Sequence, residues 1–537
     1  MNFLRLNDKL LSVLFEDSEI IAIDKAYGIN THTNDSKIGN TDFVQDGLIE
    51  IFEKQLGRKL HIVHRLDQTT TGVIIFAKTP VAAKKYAAFF FDRLVRKTYW
   101  FITAASNDSE EFTIDRTIIH KGRELEAKTN FKRLKKAAGF ELWQANPLTG
   151  RNHQIRIHAQ AAGISIIGDE KYEGADYPFL CLHNHCIEFP NGIVIYSHAP
   201  IYYQELIILK NPTLASALFE CDRRLRLFAG AAFDQCYRLV HKEFGYTIDQ
   251  FGKNLVLSSY DETWSDADQK TFSEFAALIK KPVVLRMMHN RGKDPLNKSQ
   301  LVLGDLPVET NWLAKENEII FEIRSDSGQS FGLFLDQRLQ RNWVLQNSEN
   351  RDVLNLFSYT CGFSVAAALG RAKLVTSVDT SKNVLAWGKR NFTHNGILPE
   401  SHRFLLRDSL DYLDQCAKKQ IRFDLVICDP PSFSRGEKSV FKIENELENL
   451  LRKCIAILNP GGDLLFSTNF ENFFIEDIRK SILKVNAEVQ IYNILPALDF
   501  ELPGKSPLLK SFLIRNRHPV VEKPVESDTI PESVDEN

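Results

Sequence analysis

The chain has 537 residues, with 67 lysines and arginines against 69 aspartates and glutamates and a formal net charge of −2 at pH 7. This length exceeds what one hydrophobic core normally supports, so we predict several domains. The balanced charge excludes a nucleic-acid binder driven by an overall basic excess, but not one with a local basic face. The eight cysteines lack CxxC pairs and zinc-type spacing, so we expect reduced thiols and no metal site. Because no apolar run reaches membrane length and the first residues are polar, we expect a soluble, cytoplasmic protein.

Residues 1–212 alternate short apolar runs with a few helical segments, which is typical of an α+β domain with a mixed β-sheet. The periodicity predicts strands over residues 19–23, 73–77, 98–103, 139–144 and 193–196. Helical spacing of the apolar residues predicts helices over residues 80–95 and 154–162.

The rest of the chain changes character twice. Residues 213–345 predict a small α+β middle domain, with a helix over 214–226 and strands over 255–259, 283–287 and 319–323. Residues 346–518 predict an α/β, Rossmann-like domain, because buried strands alternate with helices. Its predicted strands cover 353–357, 374–378, 423–428 and 463–467, and its predicted helices include 382–395 and 444–458. Residues 519–537 are acidic and contain proline, so we expect a disordered tail.

One polar turn in the first region contains an aspartate and an arginine close together in sequence. The segment 61–78 reads HIVHRLDQTTTGVIIFAK, in which Asp67 and Arg65 precede an apolar strand. Such an aspartate, taken alone, is more often a loop cap or a surface ion pair. Together with three further motifs in the expected order, the turn resembles the signature of the RluA-like pseudouridine synthases. These motifs are Lys97-Thr98-Tyr99, TGRNHQIRIH over residues 149–158, and Gly168-Asp169 with Tyr172.

The resemblance implies isomerisation of uridine to pseudouridine without a cofactor. It implies that Asp67 is the catalytic carboxylate, that Tyr99 packs on the uracil ring and serves as base, and that Arg156 forms an ion pair with Asp67. We expect Arg65, Arg151 and His153 to contact RNA, and for Arg65 a plain salt bridge is an equal alternative. The target uridine has to be flipped out, since its glycosidic bond is inaccessible in a stack. Where the family has Lys-Pro-x-Gly, this chain has KAYG over residues 25–28.

A second constellation follows the strands of the third region. The strand near 353–357 leads into a loop of small residues and a helix start, a geometry that suits an anionic or carboxylate group. Asp379 follows the next strand and is suited to accept from a ribose diol. Asp408 is placed to accept from an adenine amine, and Asp429 opens the rigid Asp-Pro-Pro turn.

Residues 220–515 resemble class I S-adenosylmethionine-dependent methyltransferases, in particular those of large-subunit ribosomal RNA. The resemblance implies S-adenosylmethionine as cofactor, with Asp429 also catalytic and Phe433 stacking on a base. The predicted cofactor-binding residues are Asn355, Phe357, Ser358, Gly362, Asp379, Asp408 and Asp429. The basic segment 280–293, which contains Arg286 and Arg291, is expected to face RNA.

The turn over residues 466–470 distinguishes between methylated products. Cytosine-C5 methylation needs a thiolate, and the relatives that carry it out have a cysteine in this turn. Here the turn reads FSTNF and resembles the guanine-modifying branch, which predicts methylation of a base nitrogen, with guanine N7 favoured over an exocyclic nitrogen.

Several alternatives stay open at this point. They are a cytosine-C5 enzyme, an RNA-binding protein with one active half, and a small-molecule methyltransferase with an RNA-anchoring module. The expected partner is RNA, ribosomal or transfer RNA for the first half, without an obligate protein partner and without a membrane.

Overall fold

The computed structural model describes residues 3–4, 12–33, 46–120, 122–228, 234–241, 245–261, 263–288, 301–327, 330–435, 440–500 and 507–516. Within these ranges, every helix is too short or too polar to cross a membrane. The predicted tail over 519–537 lies outside them.

The first region forms one mixed ten-stranded sheet. Strands β5 and β12 pair in parallel, and the other strand pairs of this sheet are antiparallel. Its order is β2-β3-β5-β12-β6-β11-β10-β7, with β4 on β5 and β13 on β12. The elements up to residue 204 are β1 (Phe3–Leu4), β2 (Val13–Glu16), β3 (Ile20–Lys25), α1 (Leu48–Leu56), β4 (His61–Ile62), β5 (Thr71–Ala77), α2 (Pro80–Phe91), β6 (Arg96–Thr103), β7 (Glu111–Asp115), β8 (Ile118–His120), β9 (Arg123–Leu125), β10 (Lys128–Ala137), β11 (Phe140–Pro147), α3 (Gln154–Ala161), β12 (Leu182–Glu188), β13 (Val194–Tyr196) and α4 (Ile201–Gln204).

Strand β5 is buried on both faces, which explains its continuous apolar sequence. Ile74 and Phe76 pack into one hydrophobic cluster, while Val73 and Ile75 pack into the cluster on the opposite face. Gly72 permits the parallel pairing with β12, because a Cβ atom there would lie 2.2 Å from the carbonyl oxygen of Asn184. The start of β5, which follows Asp67, is thereby held against the middle of the sheet.

The middle region contains a five-stranded sheet in the order β14-β15-β16-β17-β18. Leu255 and Leu257 on one face belong to the hydrophobic cluster of the first region, whereas Val256 packs with Trp312 in the cluster of the third. The sheet therefore shares its two cores with its neighbours. The elements are α5 (Pro212–Leu225), β14 (Cys236–Val240), β15 (Tyr246–Phe251), β16 (Asn254–Ser259), α6 (Asp266–Ile279), β17 (Val283–Met287), β18 (Leu301–Leu303), β19 (Asn311–Glu316) and β20 (Ile319–Arg324).

The third region is the expected Rossmann-like α/β layer, with the strand order β28-β29-β27-β24-β21-β22-β23. Strands β21 to β24 and β27 are parallel, and β29 is antiparallel between β27 and β28. The elements are α7 (Arg338–Gln346), β21 (Asp352–Leu356), α8 (Gly362–Leu369), β22 (Leu374–Asp379), α9 (Lys382–His394), β23 (Arg403–Leu406), α10 (Ser409–Lys418), β24 (Phe423–Cys428), β25 (Phe433–Arg435), β26 (Val440–Lys442), α11 (Ile443–Ala456), β27 (Leu458–Thr468), α12 (Ile475–Val485), β28 (Gln490–Ile494) and β29 (Lys510–Arg515).

Strand β1 belongs to this third sheet, although it lies near the start of the chain. Phe3 and Leu4 pair in parallel with Asn493 and Ile494 of β28, at the edge of the sheet. The first predicted region therefore does not keep all of its residues in its own sheet. The predicted fold class is confirmed, while the domain boundaries stay predictions because the cores are shared.

Buried arginines on and just after α5 connect the three regions. Arg226 pairs with Asp24 of the first region, and Arg224 donates from Nε to the carbonyl oxygen of Asp499 at 3.0 Å. Asp499 also accepts from Arg338 at 2.8 Å, and its side chain is fully buried. Because buried charges are costly unless paired, these contacts fix α5 against both neighbours.

Candidate active sites

A buried lysine, Lys25, holds the turn that carries Asp67 by hydrogen bonds to the backbone. The Lys25 ammonium group donates to the carbonyl oxygens of Ala26, Gln68 and Thr70 at 3.1, 2.9 and 2.8 Å. Burial lowers the pKa of Lys25 to about 7, although the nearby charge of Asp67 opposes this shift. The lysine of the KAYG segment thus fixes the backbone on which Asp67 stands.

Asp67 lies between two nitrogen-bearing side chains and is 27% exposed, so it faces an open site. Its Oδ2 atom is 3.7 Å from an Arg156 guanidinium nitrogen and 3.8 Å from His153 Nε2. These distances allow electrostatic attraction but are longer than hydrogen bonds. The carboxylate is therefore oriented toward cations and keeps its lone pairs available.

Arg156 has a tighter partner than the one we predicted. Its Nε and a terminal nitrogen each donate to the Asp169 carboxylate at 2.7 Å, and the Asp169 side chain is fully buried. The guanidinium also lies 5.0 Å from the centre of the Tyr172 ring. The predicted ion pair with Asp67 is thus the weaker contact, because the bidentate pair with Asp169 determines where the guanidinium lies.

His153 adopts a left-handed backbone conformation (φ 54°) at the start of α3, which turns its ring toward Asp67. Its Nδ1 is hydrogen-bonded to the Tyr172 hydroxyl at 2.8 Å. Burial lowers the pKa of His153, with the charge of Asp67 opposing the shift. The ring therefore favours its neutral form.

Tyr99 lies half-buried on β6, in electrostatic range of Asp67. Burial and then the charge of Asp67 raise the pKa of Tyr99, so the phenol is protonated near neutral pH. Two residues earlier, Lys97 donates to the carbonyl oxygen of Thr149 at 2.9 Å and joins β6 to the 149–158 motif. The structure thus brings Asp67, Tyr99 and Arg156 into one site.

The predicted RNA contacts of this site differ in exposure. Arg65 is exposed, and within the described parts of the chain no carboxylate pairs with it. Arg151 is half-buried, and its Nε donates to the carbonyl oxygen of Glu126 at 3.1 Å. Only Arg65 therefore keeps its whole guanidinium available for an anion.

A strained loop between β21 and α8 forms one wall of a second site. Three residues of this loop that are not glycine have positive φ angles, namely Phe357 (52°), Tyr359 (47°) and Cys361 (62°). The Asp379 carboxylate supports the loop, because it accepts from the backbone amides of Tyr359 and Ser381 at 2.9 Å each. Burial raises the pKa of Asp379, and these amides oppose the shift.

The loop borders a cavity of about 290 Å³, which we call the first cavity. Six of the predicted cofactor-binding residues line it: Phe357, Ser358, Gly362, Asp379, Asp408 and Asp429. Asn355 does not, which corrects our prediction. Its side chain is 1% exposed and donates to Ser364 at 2.9 Å, so it holds β21 against α8 beneath the loop.

The acids of the first cavity have different environments. Asp408 caps α10 by accepting from the amides of Leu410 and Asp411 at 2.8 and 3.1 Å. Burial raises the pKa of Asp429 to about 7, and the neighbouring charge of Asp336 adds to the shift. Asp336 is not among the predicted site residues and lies in the short turn just before α7.

The remaining predicted RNA contacts lie apart from the first cavity. Phe433 on β25 is 48% exposed and is not among the lining residues. Arg286 on β17 lies 5.1 Å from the centre of the Phe331 ring and lines a neighbouring cavity. Arg291 lies outside the described residues.

All eight cysteines are described, free and buried. None of them is among the described residues that line the first or the neighbouring cavity. Burial also raises the pKa of Cys361 to about 12, so its thiol is not a ready nucleophile.

Two family models match separate parts of the chain. Residues 19–161 match the family model of the RNA pseudouridylate synthases. Residues 271–481 match the family model of an S-adenosylmethionine-dependent methyltransferase.

Curated relatives match about half of the chain. A protein of Shewanella oneidensis named ribosomal RNA large subunit methyltransferase K/L is 42% identical over 295 residues, which cover 52% of this chain and 40% of that protein. The protein of the same name from Shewanella sp. MR-4 is 32% identical over 294 residues with the same coverage. The chain thus spans about 40% of the length of these relatives. Among solved structures, SMU.776 in complex with SAH is 26% identical, with a TM-score of 0.51, and the match covers 61% of this chain and 86% of that one.

Proposed function

Because the chain carries a pseudouridylate synthase domain followed by an S-adenosylmethionine-dependent methyltransferase domain, we propose that it is a bifunctional RNA-modifying enzyme. It isomerises a uridine and methylates a guanine at N7, both in large-subunit ribosomal RNA in the cytoplasm. The name of the Shewanella relatives supports the choice of ribosomal RNA. One observation carries the proposal, namely that a single chain contains two separate sites. In one, the Asp67 carboxylate faces Arg156 and His153; the other is a cavity lined by acids that lie at or just after the ends of strands.

In the first domain, Asp67 acts on the ribose of a uridine that has been flipped out of its stack. The bond from C1′ to N1 breaks, the bond from C1′ to C5 forms, the C5 proton leaves and N1 gains a proton, so no co-reactant is consumed. Arg156, anchored by Asp169, attracts and orients the Asp67 carboxylate. The Asp67 carboxylate bonds to C1′ as N1 leaves, and this bond breaks when C5 bonds to C1′. Tyr99 packs on the detached ring, and its pKa falls while Asp67 is bonded and uncharged, because that charge is one cause of the raised value.

In the second domain, the residues of the first cavity fit S-adenosylmethionine. Asp379 offers a carboxylate to the ribose hydroxyls, and Asp408 accepts from the adenine amine with the oxygen that does not cap α10. The bound cofactor supplies an electrophilic methyl group. Asp429 and Asp336 stabilise the positive charge that develops on guanine when N7 is alkylated.

The absence of a lining cysteine among the described residues supports nitrogen as the acceptor. Cytosine-C5 methylation requires a thiolate that adds to the ring, whereas N7 of guanine carries its own lone pair and needs no covalent activation. Asn469, which belongs to the turn in which the cytosine-C5 relatives carry a cysteine, borders both cavities.

The test uses the full chain and large-subunit ribosomal RNA from a strain that lacks it. Mass-spectrometric mapping should find one new pseudouridine with or without S-adenosylmethionine, and one 7-methylguanosine only when it is added. Transfer RNA serves as the parallel substrate. 5-Methylcytidine as product, or modification of transfer RNA alone, would contradict the proposal.

A further inference from the structure

The neighbouring cavity that Arg286 lines is called the second cavity from here on. It has a volume of about 260 Å³, adjoins the first cavity and lies between the five-stranded sheet and the methyltransferase domain. The two cavities share five lining residues: Leu333, Phe334, Asp336, Asn469 and Leu509. A group held in the second cavity therefore lies beside the acids that border the first. Its far wall comes from strands β14 to β17, of which only β17 has so far been given a predicted role, through Arg286.

That wall contains a buried hydroxyl without a partner. Thr247 on β15 lines the second cavity, its residue is 1% exposed, and its Oγ1 atom has no hydrogen-bond partner among the described residues. A buried hydroxyl that makes no hydrogen bond is destabilising. The arrangement is explained if a ligand supplies the missing partner.

A charged pair stands beside this hydroxyl. Arg238 donates to the two oxygens of Asp249 at 2.6 and 2.9 Å, and both side chains are largely buried. A carboxylate has about four acceptor positions, so Asp249 can still accept two further hydrogen bonds. Together the pair and Thr247 present acceptors, donors and a hydroxyl on one polar wall.

Aromatic rings line the cavity around this wall. The Arg238 guanidinium lies 4.8 Å from the centre of the Phe500 ring. Phe331 and Phe334 also line the cavity, and Phe334 is 46% exposed. Rings of this kind stack on nucleobases that have been extruded from RNA.

We propose that the second cavity binds the purine that is methylated, and that Thr247, Asp249 and Arg238 select guanine. This inference rests on the proposed function and assigns its base specificity to the middle sheet. Guanine offers an N1–H and an N2 amino group to a carboxylate and its O6 to an arginine. Adenine and cytosine place a lone pair at the corresponding ring nitrogen, which Asp249 repels. Recognition along this edge leaves N7 free to face the first cavity.

The alternative is that the Arg238–Asp249 pair and Thr247 only stabilise the sheet. Thr247→Val keeps the size of the side chain and removes the hydroxyl, so we expect kcat/KM for RNA methylation to fall about tenfold. Thr376→Val is the matched control, because Thr376 is also 1% exposed with an unpartnered hydroxyl but lines neither cavity. Calorimetry should give wild-type affinity for S-adenosylmethionine in both variants, and pseudouridine formation should be unchanged.

A change in the substrate provides a test that does not depend on folding. Inosine lacks the N2 amino group, so ribosomal RNA with inosine at the target should be methylated at least tenfold more slowly than RNA with guanosine.

Two further variants connect this preference to the polar wall. Asp249→Asn should reduce the preference for guanosine over inosine severalfold, and Thr247→Ser should restore the methylation activity that is lost in Thr247→Val.

The possible failures can be told apart. If the wild-type chain methylates another base, both this inference and the proposed N7 product are wrong. If it methylates guanosine and inosine equally, or if Thr247→Val is fully active, only the inference is overturned. Loss of S-adenosylmethionine affinity in Thr247→Val would instead make the second cavity part of the cofactor site.

Discussion

The two candidate active sites are built in different ways. In the first, the acid, the cations beside it and their anchors all come from the first region, with Arg156 on α3, and Asp169 fixes Arg156 before any substrate arrives. In the second, the loop after β21, the segment before α7 and the turn after β24 meet at a cavity that extends to another sheet. The first site is therefore preorganised within one domain, while the second depends on how neighbouring regions pack.

This difference predicts that damage to the first site will stay local. Asp67→Asn should lower pseudouridine formation about a thousandfold or more, because the amide carries no charge and is a poor nucleophile. Methylation of the same RNA should continue at the wild-type rate, measured by mass spectrometry. The control is Asp115→Asn, since Asp115 is 67% exposed and forms a surface salt bridge with Lys128. Parallel loss of both modifications would show that the sites are coupled.

The anchoring of the first site can be broken at Arg156. Arg156→Met leaves the buried Asp169 carboxylate without its bidentate partner, so we expect the free energy of unfolding to fall by about 3–5 kcal/mol. Urea denaturation of the full chain measures the change. The double variant Arg156→Met/Asp169→Asn should recover part of the loss, because it removes the unpaired charge. An unchanged midpoint in the single variant would mean that the pair contributes little.

The cofactor end of the second site can be probed at Asp379. Asp379→Ala removes the acceptor for two loop amides and the proposed ribose contact, so the Kd for S-adenosylmethionine should rise about a hundredfold. Isothermal titration calorimetry provides the measurement, and pseudouridine formation serves as an internal control for folding. Asp414→Ala is the matched surface variant, because Asp414 is 61% exposed. Equal losses in the two variants would exclude a specific role for Asp379.

The smallest expected effect is a pH dependence of methylation alone. Burial, with the charge of Asp336, raises the pKa of Asp429 to about 7. The stabilising carboxylate form therefore gains population as pH rises, and kcat/KM should increase about tenfold between pH 6 and 8 before levelling off. Asp429→Asn should be slower and should lack this rise. A wild-type profile that is flat or falls over this range would contradict the assigned role.

Much of the fold followed from periodicity in the sequence. The strands Val283–Met287 and Phe423–Cys428 have the predicted bounds, because their apolar runs are short and end at polar residues or turns. The helix predicted over 80–95 ends at Phe91, since Arg93 adopts a positive φ angle that no apolar pattern reveals. The shared cores of the middle sheet also escaped prediction, because apolar spacing shows that a face is buried but not which partner covers it.

The candidate sites were predictable where a motif places side chains on a loop. The predicted Asp379 and Asp429 do line the first cavity, and their roles stay predictions; Asn355 does not line it, because its side chain points beneath the loop, which the sequence does not show. Asp169 lies in one of the motifs given above and Asp336 in none, and the residues next to which they act are distant in sequence. No sequence pattern marks Thr247. It is noticeable only in the structure, where its buried hydroxyl has no hydrogen-bond partner among the described residues.

The arginines of α5 and its C-terminal end have a consequence for dividing this protein. A gene split at residue 212 would separate Asp24 from Arg226, so the first fragment would inherit a buried carboxylate without its charged partner, while Arg226 would keep its salt bridge to Asp222. A second split before residue 346 would part Arg224 from Asp499. The halves should thus express poorly as independent proteins, and inactivating point substitutions in the whole chain are the sounder route to separating the two proposed activities.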